Sequence, residues 1–266
     1  MIDVWVGGVA ICGPGLDGWA ASVPVLAGRQ AYVPAPPLLP PPAMLAPNER
    51  RRAGQVTRLA LSVAQQAADM HGAPPASLRS IFGSANGDGV TINAIMDALT
   101  DPLGAVSPTQ FHNSVHNAAA GYWSIGAGSS QAASCIGCHD CTAAAGLLQA
   151  AAEAHSLGKP VLLSLFDCPM PEPLHERRPV GAVFGAALVL TPEAVPHALA
   201  RLGIDYADAP CPAGRATPRH VGLAALSTAN PVARILRLLE TLALGVPDHL
   251  CLESLDGRVD VTATPC

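Results

Sequence analysis

Short apolar runs alternate along the chain with segments in which apolar residues recur at helical spacing. The apolar runs predict strands over 2–11, 79–85, 131–137, 161–168, 180–190, 202–207, 220–225 and 248–264. Helical spacing or small-residue composition predicts helices over 17–28, 49–70, 90–99, 141–156 and 231–244, with a further short helix at the end of the loop 106–125. Asn48 is the expected N-cap of the helix over 49–70. Strands that alternate with helices predict an α/β fold with a largely parallel or mixed sheet.

Composition and charge narrow the class of protein. Half of the 266 residues are hydrophobic and only 13% are charged, which is typical of a chain with a sizeable buried core. The formal net charge is −5, and the basic residues cluster only at Arg50, Arg51, Arg52 and Arg58, so a nucleic-acid partner is not expected. The proline-rich segment 32–47 predicts a loop without regular structure.

The cysteines and the start of the chain indicate a cytoplasmic protein. The first residues, MIDVWVGGVAICG, lack the basic region of a signal peptide, and no apolar stretch has the length of a membrane span. Cys12, Cys168 and Cys251 fall in apolar segments, where we expect free, buried thiols rather than disulfides. We expect no cofactor.

The order of five segments resembles the first half of the β-ketoacyl synthases, which belong to the thiolase-like superfamily. The segments lie within residues 2–208 and comprise the opening strand with Gly18-Trp19, ERRRAGQVTRLALSVAQQA, FGSANGDG, VSPTQFHNSVHNAAAGYWSI and VGAVFGAALVLTPEAVPHALARLGIDYADA. The resemblance implies a thiolase-like mixed sheet with helices packed on both faces and a strongly truncated second half. Residues 1–208 would form the ketosynthase-like half, and residues 209–266 would form a strand–helix–strand remnant packed on it as one compact unit.

The resemblance also brings two departures from the family pattern. Family enzymes carry a cysteine nucleophile where a strand turns into a buried helix, and the helix N-terminus activates its thiolate. When the family pattern is aligned without gaps from Asn117, Gly121 and Gly128, the position of the nucleophile falls on Asp140. A shift of one residue places Cys141 there instead. Short ketosynthase-like proteins described as chain-length factors are similar in lacking the cysteine.

The second departure concerns the histidines of the family's second half. These residues activate malonyl decarboxylation and stabilise the enolate, and they lie in His-Gly-Thr-Gly and Gly-Phe-Gly-Gly contexts. No such context follows residue 208, where only His220 and His249 remain. The usual condensation mechanism would therefore lack, in this chain, the histidines that stabilise its developing negative charge.

The stretch CIGCHDC over 135–141 leaves three interpretations open. Cys135, Cys138 and Cys141 have the spacing of metal or redox ligands, although the segment is predicted to run from strand into helix. Alternatively, the thiol of Cys138 or Cys141 is a nucleophile at the start of a helix, which would make the chain an acyl-thioester transferase or hydrolase. The favoured interpretation is a lost nucleophile, with Asp140 acting as the N-cap of the following helix.

Two further groups of residues are candidates for substrate and partner binding. By the resemblance, the acyl tunnel would be shaped by Phe111, His112, Val115, His116, Tyr122 and Trp123, although the two histidines could instead satisfy buried backbone groups. Arg50, Arg51, Arg52 and Arg58 could meet the acidic face of an acyl carrier protein, or form a solvated helix start.

The sequence therefore predicts a non-catalytic, chain-length-factor-like partner in fatty-acid-like or polyene polyketide biosynthesis. The expected partners are a full-length ketosynthase, an acyl carrier protein, or both. The resemblance implies a homo- or heterodimer formed through the strand near Gln131–Gly137, where pairing would cover a sheet edge.

Overall fold

A computed structural model describes all 266 residues. The strands are β1 Ile2–Gly13, β2 Leu16–Asp17, β3 Arg79–Gly83, β4 Ala133–Ile136, β5 Val161–Asp167, β6 Phe184–Thr191, β7 Ala200–Ala207, β8 Asp248–Ser254 and β9 Gly257–Pro265. The helices are α1 Trp19–Leu26, α2 Pro47–Arg52, α3 Gln55–His71, α4 Gly89–Thr100, α5 Pro108–Ser114, α6 Ala118–Ala127, α7 Thr142–Leu157, α8 Leu174–Arg177, α9 Val221–Ala229 and α10 Leu236–Leu244. Short 3-10 turns lie at Pro75–Ser77, His139–Cys141 and Pro231–Ile235.

All nine strands belong to one mixed sheet, with the order β4-β3-β5-β6-β1-β7-β9-β8 and β2 paired to β1. The pairs β3–β4 and β3–β5 are parallel, and the remaining pairs are antiparallel. β4 and β8 are therefore the two edge strands. This arrangement agrees with the mixed α/β sheet predicted from the sequence.

The apolar strands bury both faces of the sheet. In β5, Leu163 and Leu165 face one core, which contains α7 and α10, whereas Leu162 and Phe166 face the other, which contains α3 and α6. The two-residue period of a strand sends neighbouring side chains to opposite faces, so a continuous apolar run requires a helix layer on each side. Helices do cover both faces, as the resemblance to the β-ketoacyl synthases implies.

A glycine in β1 determines how closely α3 approaches the sheet. A Cβ atom at Gly8 would lie 2.2 Å from the carbonyl oxygen of Ala67 in α3. The register of β1 against β6 also shifts between Val6 and Gly8. Only a residue without a side chain permits this close helix–sheet contact.

Several predicted elements differ from the structure. The helix expected over 49–70 divides into α2 and α3 at Ala53 and Gly54, and its N-cap is Ala46 rather than Asn48. Glycine is a poor helix former, and the Ala53 carbonyl instead accepts a hydrogen bond from Arg58 Nε at 3.0 Å.

The strand expected over 220–225 is also wrong, because these residues begin α9. His220 caps this helix, since its Nδ1 accepts a hydrogen bond from the Gly222 N–H at 3.1 Å. The run 248–264 forms the hairpin β8–β9. Residues 209–266 thus contain two helices and a hairpin, and the hairpin extends the same sheet through β7. No helix is both long and apolar enough to cross a membrane.

Candidate functional site

The CIGCHDC stretch makes a sharp turn from β4 into α7. The Thr142 hydroxyl closes the turn, because it accepts a hydrogen bond from Cys138 N–H at 2.9 Å and donates one to the His139 carbonyl at 2.8 Å. His139 has a φ of 50°, in the left-handed region that non-glycine residues rarely adopt. The predicted strand-to-helix turn is therefore present, with a strained residue at its centre.

Asp140 lies between two arginines in this turn. Arg178 Nη2 is 2.5 Å from Asp140 Oδ1, and Arg234 Nη2 is 3.2 Å from Oδ2. Burial acts to raise the pKa of the Asp140 carboxyl, but Arg178 and Arg234 outweigh it and hold this pKa below its usual value. Asp140 is not the N-cap of α7 as expected: Cys141 occupies that position, and no side chain caps the helix.

Each arginine is held by a second partner. Arg178 follows α8 and donates from Nε to Asn86 Oδ1 at 2.9 Å. Arg234 lies in the 3-10 turn before α10 and pairs with Glu253 of β8 at 2.9 Å. Asp140, Arg178 and Arg234 line a cleft of about 180 Å³. The C-terminal residues thus contribute Arg234 and Glu253 to this site, which the sequence did not indicate.

Two cysteines of the CIGCHDC stretch, Cys135 and Cys141, have thiols whose pKa is raised rather than lowered. Cys141 is half-buried at the start of α7 and borders a cleft of about 550 Å³. Burial raises the pKa of the Cys141 thiol, and the lowering effect of Arg234 does not offset it. Burial also raises the pKa of Cys135. No three His, Cys, Asp or Glu side chains meet as a metal-ligand set, so the metal interpretation gains no support from the geometry.

One cysteine pairing differs from expectation. Cys251 is fully buried in β8, as predicted, but it forms a disulfide with Cys211, with the Cα atoms 6.0 Å apart. Cys211 follows β7, and the folding of β8 onto β9 brings the two residues together across 40 positions of sequence. Such long-range proximity has no local signal in the sequence.

The sequence patterns did not indicate Asp167, a buried carboxylate near the site. Asp167 ends β5 with no solvent exposure and accepts hydrogen bonds from the Ser84 hydroxyl at 2.7 Å and from the backbone N–H groups of Ala85 and Asn86 at 3.1 and 3.2 Å. Burial raises the pKa of Asp167 to about 6, although these three donors partly offset the effect. The available signal was a carboxylate that directly follows the apolar run VLLSLF.

Comparison with protein families matches residues 26–220 to the N-terminal domain of β-ketoacyl synthases. The match spans most of the chain. This protein belongs to the β-ketoacyl synthase N-terminal domain family. The resemblance inferred from the five sequence segments is confirmed.

Solved structures agree with this assignment. The first is a chain of the complex between a ketosynthase (ApeO) and its chain length factor (ApeC) from Xenorhabdus doucetiae, with a TM-score of 0.73, 18% identity, and coverage of 98% of this chain and 100% of that chain. The ishigamide ketosynthase/chain length factor gives a TM-score of 0.64 at 16% identity, with 99% of both chains covered. A type II polyketide acyl-carrier protein complex with its ketosynthase (AntDE:AntF) gives 0.72 at 12% identity, with 100% of this chain and 99% of that chain covered. No curated protein sequence matches the chain. These likenesses confirm the thiolase-like fold.

The residues proposed for the acyl tunnel of this ketosynthase-like chain fall into two environments. Tyr122 and Trp123 are fully buried in the core beside α3, and the Tyr122 hydroxyl donates to Asn113 Oδ1 at 3.1 Å. Phe111 and Val115 are exposed. The ring of His112 packs edge-on against that of Tyr122, with the ring centroids 5.8 Å apart. His116 Nε2 lies 3.0 Å from the Ser84 carbonyl oxygen. Their tunnel role stays a prediction.

The arginines proposed for carrier-protein docking lie on α2 and the first turns of α3. Arg50 donates from Nη2 to the Leu45 carbonyl at 2.8 Å, and Arg58 is likewise bound to a backbone carbonyl. Arg51 and Arg52 are exposed; Arg51 contacts Asn48, and Arg52 pairs with Glu49 at 3.5 Å. The docking role of this basic group also stays a prediction.

Proposed function

We propose that this chain is a chain-length-factor-like, non-condensing partner of a β-ketoacyl synthase that makes fatty-acid-like or polyene polyketide chains. The observation that carries the proposal is the start of α7, where Asp140 is held by Arg178 and Arg234. The adjacent thiol, Cys141, has a raised pKa. Acyl transfer to a cysteine requires the thiolate, so the site lacks an activated nucleophile under either register.

The remaining histidines of the C-terminal segment support the same proposal. His220 caps α9, and His249 Nδ1 lies 3.0 Å from the Thr262 hydroxyl on the neighbouring strand. Both imidazoles are engaged in local structure. The decarboxylation and enolate-stabilising steps of a condensing enzyme would therefore come from the partner.

The edge strand β4 offers the surface for that partner. The carbonyl groups of Ala132 and Ile136 accept hydrogen bonds from the N–H groups of Ser80 in β3 and of Ser84 directly after it. The backbone groups of Ala133 and Cys135 therefore point away from β3. Ile125 is exposed on α6, which packs against β4. Next to α6, α5 exposes Phe111, and α4, which packs against α5, exposes Val90, Met96 and Leu99. An open strand edge beside exposed apolar residues suits pairing with a second ketosynthase-like chain.

Intact-protein mass spectrometry after exposure to an acyl-pantetheine thioester tests the absence of condensing chemistry. We expect no adduct on the wild type and an adduct on the Asp140→Cys variant if Asp140 holds the position of the nucleophile. The Cys141→Ser variant is the control for labelling at the neighbouring thiol. A stable adduct on wild-type Cys141 would refute the non-catalytic assignment.

Co-purification with a full-length ketosynthase from the same organism tests the partner surface. Ala133→Pro removes an N–H group that points away from β3 and so leaves the β3–β4 ladder intact. We expect this variant to lose the complex, whereas the matched Ala133→Ser variant retains it. Equal complex formation by both variants would exclude β4 as the interface.

A second candidate function is an acyl-thioester transferase or hydrolase that uses Cys141. The observation in its favour is that this thiol borders the 550 Å³ cleft, which has room for part of a substrate. The same mass measurement separates the two functions, because the enzyme would accumulate or turn over an acyl group on Cys141.

A further inference from the structure

Residues 208–217 run alongside edge strand β8 without forming a helix or strand, and we call this segment the strap. The strap covers part of the β8 edge, since the Cys251 N–H donates to the Arg215 carbonyl at 3.3 Å. Arg215 itself is exposed, and Gly214 beside it has a φ of 77°. β8 would otherwise present an open edge at the end of the sheet opposite β4.

Few bonds hold the strap in place. Arg258 of β9 donates from Nη1 to the Pro210 carbonyl at 2.8 Å, which anchors the first part of the strap. The covalent anchor is the disulfide between Cys211 of the strap and Cys251 of β8. Cys251 is fully buried in the sheet, whereas Cys211 is half-buried and lines the cleft of about 550 Å³. A segment with so few contacts depends strongly on its cross-link.

The strap also forms one wall of the 550 Å³ cleft. Asp208 to Cys211 line the cleft on one side, residues 253–257 of the β8–β9 hairpin line it on another, and Cys141 at the start of α7 completes it. Movement of the strap would therefore change access both to the β8 edge and to Cys141.

We infer that Cys211–Cys251 is a redox-controlled latch on the strap. A small dithiol attacks the more accessible sulfur of Cys211 as its thiolate, and Cys251 leaves as a thiolate that takes up a proton. The second thiol of the reductant then displaces Cys211 and completes the reductant's own disulfide. Two electrons pass from the dithiol to the protein, which gains two thiols. The opened strap exposes the β8 edge and widens the cleft at Cys141. This inference goes beyond the proposed partner function and does not depend on it.

Limited digestion with trypsin tests the latch, because Arg215 lies in the exposed part of the strap. We compare the wild type purified without reductant, the same protein reduced with dithiothreitol, and the Cys211→Ser variant, which leaves buried Cys251 unchanged. Cys266→Ser is the matched control, since Cys266 is an exposed free thiol outside the latch. We expect cleavage after Arg215 to be about tenfold faster in the reduced wild type and in Cys211→Ser, because proteolysis follows the population of the open segment. Cys266→Ser behaves like the wild type.

Alkylation provides the second measurement. Unreduced wild type, once unfolded, should expose two fewer reactive thiols than its eight cysteines. In the folded protein, iodoacetamide should modify Cys141 faster after reduction and desalting than before. Eight reactive thiols in the unreduced protein, or cleavage after Arg215 at the same rate in every sample, would overturn the latch. Unchanged modification of Cys141 would overturn the opening of the cleft.

Discussion

Replacement of Asp167 by asparagine should remove a defined pH dependence of stability. The carboxyl of Asp167 has no solvent exposure, and burial raises its pKa from the ordinary value of 3.8 to about 6. Between these two values the folded chain binds a proton at Asp167 and the unfolded chain does not. The free energy of unfolding therefore falls as the pH rises from about 4 to about 6. This sign is opposite to that of a carboxylate whose pKa is lowered on folding.

The size of the effect follows from the same two values. The interval from 3.8 to about 6 corresponds to about 3 kcal/mol between the protonated and ionised forms in the folded protein. Asp167→Asn keeps the shape of the side chain but places an amide N–H₂ near backbone N–H donors. The free energy of unfolding of this variant therefore differs from that of the wild type by an added amount of about 1–3 kcal/mol that does not depend on pH. The pH dependence, rather than the offset, is thus the diagnostic quantity.

Urea unfolding of both proteins between about pH 4 and pH 7 measures the difference directly. Other titrating groups, such as Glu240 with its raised pKa, contribute equally to both curves and cancel. We expect the wild type to lose about 3 kcal/mol relative to the variant across this range. Curves that stay parallel would show that Asp167 is ionised at all these pH values and that its three donors outweigh its burial.

Two further substitutions test the core and the thiol. Trp123→Ala should lower the free energy of unfolding by about 3–5 kcal/mol in urea titration, because its side chain is fully buried beside α3. Phe111→Ala is the matched control, expected within about 0.5 kcal/mol of the wild type because its side chain is 68% exposed; similar losses for both would contradict the burial argument. Arg234→Ala should raise the pKa of Cys141 further, since the arginine charge stabilises the thiolate. The pH dependence of alkylation at Cys141 measures this shift, and an unchanged profile would rule out coupling between the two groups.

The sheet and its main helices follow from local patterns, because each pattern reports burial on a face. The run 161–168 is apolar at successive positions, which requires cover on both faces, and β5 is the strand with helices on both sides. The helix over 49–70 was recognised for the same reason, since α3 presents one apolar side to the sheet. The pattern does not predict its interruption at Gly54 or its N-cap at Ala46.

The errors arise where a distant residue decides local structure. The run at 220–225 is short and apolar, so it suits a buried strand as well as a helix. Glu240 of α10 favours the helix, because its carboxylate accepts hydrogen bonds from the backbone N–H groups of Arg219 and His220 at 2.7 and 3.2 Å. Both residues lie just before α9 begins. Sequence patterns contain no information on which carboxylate will reach those donors.

Asp140 illustrates the same limit at the candidate site, and it gives residues 209–266 a role beyond extending the sheet. A carboxylate at a helix start predicts an N-cap, yet two guanidinium groups compete with the backbone N–H groups for it. One of them, Arg234, lies in the C-terminal segment and is itself held by Glu253 of β8. The turn into α7 is thus tied to the edge hairpin through charge rather than through apolar packing alone. Because the same arginine also acts on Cys141, any rearrangement of the hairpin would alter both the carboxylate and the thiol at the start of α7.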